Sequence, residues 1–202
     1  MRHPNPALNT FIDGLEAVVD RERDQWKVVA EVETLMKQLI ASPDRGWLKD
    51  KYRRPPEGKT GVASGYGQYC LYRRGTALSV IAFCWGPDKG TPIHDHLAWG
   101  VLGFIDGLEK ETRYKRIDDG SNETHAQLKE VGVYYTKTGE TSHLTTPQRD
   151  VHRVHNPGDT PSVSVHVYGC DMGTQRRRRY DLETGEITWY STAHDSDEIV
   201  VA

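Results

Sequence analysis

The sequence contains no apolar run near the roughly 20 residues that a membrane-spanning helix requires. Apolar residues make up 36% and charged residues 27%, a balance expected of a soluble globular chain rather than a disordered or membrane-embedded one. Cysteine is scarce. Cys70, Cys84 and Cys170 are odd in number and lack Cys-x-x-Cys spacing, which argues against a disulfide framework and a zinc ribbon and leaves buried free thiols as the expectation. No large excess of either charge sign is present. A net charge of −3 offers no broad attraction to phosphate backbones, so nucleic acid is not expected as a partner, although Arg176 to Arg179 form a local basic run. The first residues, Met1-Arg-His-Pro-Asn-Pro, lack the apolar stretch and cleavage site of a secretory signal, and a cytoplasmic location is expected. Internal repeats, heptads and low-complexity tracts are absent.

What is present fits one core. A chain of 202 residues is long enough for one substantial domain and short for two. From Pro6 to about Ser42, Leu8, Phe11, Ile12, Leu15, Val18 and Val19, then Trp26, Val29, Val32, Leu35, Met36, Leu39 and Ile40, recur at helical spacing, which predicts two amphipathic helices. Pro43, Pro55, Pro56 and several glycines punctuate a connector up to Gly67.

From Tyr69 the chain reads as short runs of β-branched and aromatic residues closed by turn signals. Examples are Tyr69 to Arg73, Leu78 to Trp85, Trp99 to Ile105, Glu109 to Arg116, Gly132 to Thr136, Val163 to Tyr168 and Ile187 to Tyr190. The expected fold is mainly β, an antiparallel sandwich or barrel. The whole, 1–202, is read as a single domain, with a helical extension over 1–42 packed on a barrel over 66–190.

Two stretches carry chemistry. His94-Asp95-His96 follows a turn after a strongly apolar strand, and residues two apart in extended chain share a face, so both imidazoles can aim into one barrel mouth while Asp95 points away. Neutral imidazole suits iron, copper, nickel or zinc, and a third ligand from a distant strand would leave positions open for substrate. His-x-His spacing alone does not separate metal ligands from turn histidines, and His143, His152 and His155 are all candidates for the third place. In the second stretch, Ser164, His166 and Tyr168 alternate with Val163, Val165 and Val167, so the three polar residues share one face. That face is either solvent or a hydrogen-bond relay, in which Ser164 orients His166 and His166 orients the Tyr168 hydroxyl.

With these residues in hand, the sequence resembles the cysteine dioxygenase family of thiol dioxygenases. The matching pieces are Cys84-Trp-Gly-Pro, Ile93-His-Asp-His96, Gly107-Leu-Glu-Lys-Glu-Thr112, His152-Arg-Val and Ser164-Val-His-Val-Tyr168, spread over about Tyr66 to Met172. The resemblance implies a cupin, a small jelly-roll-like β-barrel, holding Fe(II) on His94, His96 and His152, with His155 displaced to a supporting or surface position. It implies a reaction in which a small thiol and O2 give a sulfinic acid, and a catalytic set of Tyr168, His166 and Ser164.

Two departures bear on substrate. The cysteine that follows the second ligand in mammalian-type members is replaced by Gly100. The arginine that binds the substrate carboxylate in a Tyr-x-Arg context is replaced by Gln68 in Tyr66-Gly67-Gln68, and a neutral amide cannot make arginine's bidentate charged pair. Both departures resemble the bacterial 3-mercaptopropionate dioxygenase branch, in which the arginine comes after the Ser-His-Tyr strand. Of Arg176 to Arg179, spacing selects Arg177, so Arg177 and Gln68 are the expected substrate-binding residues. Trp85 and Trp99 are expected to be packing residues. Cysteine, cysteamine and mercaptosuccinate are the competing substrates, and a non-catalytic cupin that binds metal or a small acid is the competing class. A cupin isomerase would want a carboxylate ligand, and no Glu lies between His96 and Gly107.

Overall fold

The computed structural model describes residues 4–58, 65–197 and 200–201. The first three residues of the N-terminal stretch and positions 59–64 of the connector lie outside them.

The two expected helices are α1, Pro6–Arg21, and α2, Gln25–Ile40. Each starts on a capping side chain. Asn5 accepts from the Ala7 amide at 2.9 Å with Pro6 at the first helical position, and Asp24 accepts from the Trp26 amide at 2.9 Å and the Lys27 amide at 3.2 Å, contacts worth about 0.5–2 kcal/mol each. Their apolar faces bury Leu8, Leu15, Val32 and Met36 completely, at about 1.5–3 kcal/mol per side chain. No helix among the described residues is long and apolar enough to cross a membrane.

The rest is two sheets. The first has the order β12 (Ser196–Asp197), β1 (Tyr66–Arg74), β2 (Leu78–Trp85), β9 (Ser162–Tyr168), β4 (Gly100–Asp106), β7 (Thr141–Leu144), with β13 (Val200–Val201) also paired to β1. The second has the order β11 (Ile187–Tyr190), β10 (Arg177–Tyr180), β3 (Ile93–His94), β8 (His152–His155), β5 (Leu108–Arg116), β6 (Leu128–Lys137). All pairings are antiparallel except those of β1 with β12 and β13. The expected mainly β architecture with two helices is thus present, as two sheets that hydrogen bonding does not close into one barrel among the described residues.

Period-two alternation in the first sheet separates two cores. Val80, Ala82 and Cys84 of β2 and Val163, Val165 and Val167 of β9 join the helices in one cluster, whereas Ile81, Phe83 and Trp85 join Leu102, Phe104 and Tyr168 in another. Helix α2 lies so close to β4 that a Cβ on Gly103 would sit 2.6 Å from the Met36 sulfur. The connector contributes as well, since Trp47, Leu48 and Tyr52 are buried in the helix-side core around a short 3-10 turn, Asp50–Arg53.

Strands β3, β7, β8, β10, β12 and β13 lie outside the runs named from sequence. Each has at most four residues, and several are dominated by charged or polar side chains, such as Arg177-Arg-Arg-Tyr180. Strand β6 extends well beyond Gly132 to Thr136 because it is a sheet edge, with most of its residues exposed and without the expected alternation.

Candidate metal centre

His94 ends β3 and His152 begins β8, and the two are direct partners across the antiparallel ladder. His96 follows just beyond β3, so the three rings form a triangle with centroids 4.8, 4.9 and 5.0 Å apart. One ring nitrogen from each lies within 4.8 Å of the others, and all three side chains are buried. His155 points elsewhere and meets Asp88 at 2.9 Å, and His143 lies between Glu33 and Arg149. Neither reaches the triangle.

The Nδ1 atoms explain why the other edges converge. His94 Nδ1 donates to the Pro92 carbonyl at 3.0 Å, His96 Nδ1 to Asp150 at 3.3 Å, and His152 Nδ1 to Glu111 at 2.8 Å. A carbonyl and two carboxylates can only accept, so each ring carries its proton on Nδ1 and presents the Nε2 lone pair to the common centre. Burial holds the pKa values of His94 and His96 well below the ordinary range, so both stay neutral and able to ligate. This pattern of acceptor, imidazole and convergent lone pair fits a bound transition metal. No Asp, Glu or Cys joins the three among the described residues.

Asp95 faces away from the triangle. Fully buried, it accepts from the Arg178 amide at 2.8 Å, Arg178 Nε at 2.6 Å and the Tyr180 hydroxyl at 2.9 Å, and so ties the His-Asp-His segment to β10. The alternation of β10 then sorts the basic run. Arg178 is committed to Asp95, Arg176 lies over Trp189 at 5.4 Å, and Arg179 lines the cavity at an exposed position. Arg177, 6% exposed, lines the same cavity. Its guanidinium lies 4.9 Å from the Tyr190 ring and donates to Thr192 Oγ1 at 3.2 Å, while its Nε–H is buried without a partner among the described residues.

The three histidines line this cavity of about 330 Å³. Its walls include Tyr66, Phe83 and Trp85, and no aspartate or glutamate lines it among the described residues. Trp85, expected as packing, packs with Phe83 and Leu102 and is also one of those walls, and its indole N–H is a second buried donor without a partner among the described residues. Trp99 does pack against the helix-side core.

On β9 the polar row faces inward, between the sheets. The Ser164 hydroxyl lies 2.8 Å from His166 Nε2, and His166 Nδ1 lies 2.8 Å from the Tyr168 hydroxyl. Tyr168 stacks on the His96 ring at 5.1 Å. Burial lowers the His166 pKa to about 3 and raises that of Tyr168. The imidazole is therefore neutral and the phenol keeps its proton. Gly100 is the cross-strand partner of Tyr168, and a Cβ there would lie 2.9 Å from the phenol ring carbons.

Gln68 departs from its expected place at the substrate. It is fully buried and does not line the cavity. Its amide donates to the Thr192 carbonyl at 3.0 Å and lies 3.1 Å from His194 Nδ1, and its carbonyl accepts from the Tyr66 hydroxyl. Tyr66 and Gln68, two apart on β1, share a face, and it is Tyr66 that reaches the cavity while Gln68 sits behind it, accepting from the Tyr66 hydroxyl. Sequence reading also assigned no role to Tyr66, Tyr190, Thr192, Glu111 or Asp150. Glu111 is 41 residues from His152 and Asp150 is 54 from His96, the rings they support, so only the fold brings each pair together.

Comparison with known proteins adds a family match. The family model described as cysteine dioxygenase type I matches residues 17–182. Among solved structures the chain is similar to oxalate oxidase in complex with the substrate analogue glycolate, with a TM-score of 0.42 and 16% identity, covering 64% of this chain and 62% of that one. The chain thus spans less than two thirds of that protein. It is also similar to a conserved protein with a double-stranded β-helix domain from Klebsiella pneumoniae subsp. pneumoniae MGH 78578, with a TM-score of 0.42, 16% identity and coverage of 75% and 93%. Oxalate decarboxylase from Bacillus subtilis gives a TM-score of 0.35 and 21% identity over 48% of this chain and 22% of that one.

Proposed function

The chain belongs to the cysteine dioxygenase type I family, and on that premise we propose that it is an iron(II) thiol dioxygenase acting on a small thiol carboxylate, with 3-mercaptopropionate as the preferred substrate. The observation that carries the reading is the pairing of an all-histidine centre with Arg177, whose buried Nε–H has no partner, on one cavity that no carboxylate lines among the described residues.

His94, His96 and His152 would hold the metal. Iron(II), when bound, would lower the pKa of a coordinated thiol and supply the redox chemistry by which dioxygen reacts at sulfur. In the net reaction the S–H and O–O bonds break and two S–O bonds and one O–H bond form, so that thiol plus O2, the oxidant, becomes a sulfinic acid.

The chain's own groups bind and orient. Arg177, braced by Thr192 and Tyr190, meets the carboxylate by charge-assisted hydrogen bonds. Phe83 and Trp85 wall the cavity with apolar surface that excludes water. Tyr168, kept protonated and aimed by His166, offers its hydroxyl to the reacting sulfur and oxygen atoms. Gln68 acts behind Tyr66, placing its phenol rather than touching substrate.

Charge selects among thiols. Cysteine and cysteamine carry an ammonium that would enter a cavity facing Arg177 with no acid to pair it, and burying an unpaired charge is costly. 3-Mercaptopropionate carries only the carboxylate that Arg177 fits. Mercaptosuccinate has a second carboxylate, for which Arg179 at the cavity is the available cation.

Oxygen uptake by the iron-loaded protein with 3-mercaptopropionate, cysteine, cysteamine and mercaptosuccinate in turn tests the reading. The expected order places 3-mercaptopropionate first in kcat/KM. A preference for cysteine overturns the substrate, and no uptake with any thiol overturns the dioxygenase reading in favour of a binding module.

A further inference from the structure

The polar row on β9 does not end at Ser164. Ser162, next on the same face, is fully buried, its hydroxyl without a partner among the described residues, and Glu109 of β5 comes in beside both serines from the opposite sheet. Glu109 is 2% exposed, and neither of its carboxyl oxygens makes a formed hydrogen bond among the described residues. Even so, the Ser164 and Ser162 hydroxyls lie close enough to stabilise its charge. Thiol dioxygenase chemistry as argued above uses Tyr168, His166 and Ser164 and leaves this buried acid without a task.

We propose that Glu109 is the terminal positioning residue of the Tyr168–His166–Ser164 relay, and that its protonation state sets the direction in which the relay's hydrogens point. Donors and acceptors must alternate along the row. An ionised Glu109 can only accept, so the Ser164 hydroxyl turns towards it. Ser164 Oγ then accepts from His166 Nε2–H, His166 Nδ1 becomes an acceptor, and the Tyr168 hydroxyl donates inward to His166. A protonated Glu109 donates to Ser164, Ser164 donates to His166 Nε2, and Nδ1–H donates to the Tyr168 oxygen. In that state the phenol hydrogen is free to point into the cavity.

Both states keep the Ser164–His166 and His166–Tyr168 hydrogen bonds, and they differ in whether Tyr168 offers the reacting centre a donor or a lone pair. Burial raises the Glu109 pKa to about 7, so both states are populated near neutrality. The titratable groups around it are Glu111 on the same strand, Cys84 on β2 and Tyr168 on β9. Burial lifts the Cys84 thiol to about 12 and keeps the Tyr168 phenol protonated, and Glu111 is ionised throughout. Glu109 is therefore the member of this group that changes charge between mildly acidic and mildly basic solution.

The inference rests on the dioxygenase reading only for what the relay serves, and its test does not use turnover. The full chain, metal-free and zinc-loaded, is labelled with nitrogen-15 in histidine, and the His166 tautomer is followed by NMR from about pH 5.5 to 8.5, a range that brackets the titration. The wild type is expected to pass from the Nδ1–H to the Nε2–H form as pH rises, and Glu109→Gln to hold one tautomer throughout. Ser164→Ala, which severs the acid from the imidazole, should also lose the pH dependence while the Glu109 carboxyl carbon still titrates. That second variant carries the test if Glu109→Gln does not fold. A wild-type His166 whose tautomer does not change, or a change that survives either substitution, overturns the proposal. Oxygen uptake with the thiol panel fails or succeeds separately.

Discussion

His152 donates its Nδ1–H to Glu111 across 2.8 Å, and Glu111 in turn accepts from Arg113 at 2.7 Å. The second contact adds to the first, because, against the upward push of burial, His152 and then Arg113 hold the carboxylate at a pKa of about 2. A fixed negative charge behind an imidazole makes its far nitrogen more basic and locks the ring's orientation. His94, backed only by a peptide carbonyl, receives no such charge.

Glu111→Gln removes that charge with little change in volume. Metal affinity, measured by competition with a chromogenic chelator, should fall about 10- to 100-fold. A Pro92 substitution should have a smaller effect, since its carbonyl is main chain and remains in place. Equal losses at the two positions would remove the argument that the carboxylate is the stronger support.

Tyr168→Phe deletes one hydroxyl from the stack on His96 and leaves the three ligands untouched. Iron content should stay near that of the wild type, while sulfinate formation at saturating thiol slows by about 100- to 1,000-fold, the usual scale for one preorganised donor at a reacting centre. Unchanged turnover would take Tyr168 out of the mechanism.

How much of this was legible beforehand follows from the range of the interactions. Alternation is local, and it placed His94 with His96 and Ser164 with His166 and Tyr168 on shared faces. The choice among His143, His152 and His155 is not local, because it depends on β8 pairing with β3, which no spacing encodes. Gln68 shows the limit from the other side. Resemblance marked its position in the chain, but Tyr66, two residues earlier, reaches the cavity and Gln68 lies behind it. Glu109 lay in a motif already noted, and its burial emerges only when β5 closes over β9. The inward direction of the Ser164 face likewise depends on helices α1 and α2 covering the valines on the other side.

Adjacent arginines provide a direct check on the alternation of β10. Arg177→Leu should raise KM for 3-mercaptopropionate, with kcat/KM falling about 10- to 150-fold for the loss of a hydrogen-bonded charge worth about 1.5–3 kcal/mol, and thermal stability should change little. Arg178→Leu should do the reverse. It strips the buried Asp95 of its partner, whose cost is about 3 kcal/mol, and it should lower the melting temperature with KM for residual folded protein close to the wild-type value. If both variants raised KM alike, Arg178 would have to reach the substrate, which its bond to Asp95 forbids.

Glu109 makes the stability of the fold depend on pH with a sign opposite to that of Glu111. Its folded pKa of about 7 lies above the ordinary 4.5, so between those values the folded state holds a proton that the unfolded state has released. Stability from this residue is therefore greatest below about pH 4.5, falls as pH rises towards 7, and stays low above it. At about 1.4 kcal/mol per pH unit the interval amounts to about 3 kcal/mol. Glu111, depressed to about 2, contributes stability that is complete above 4.5 and is lost as pH falls towards 2, outside this window. Glu109→Gln removes the ionisation, and any packing cost of the amide is the same at every pH. Relative to the wild type, the variant's melting temperature should rise by roughly 6–12 °C between about pH 5 and pH 8. A difference between variant and wild type that stays constant across that range would mean that Glu109 does not titrate there.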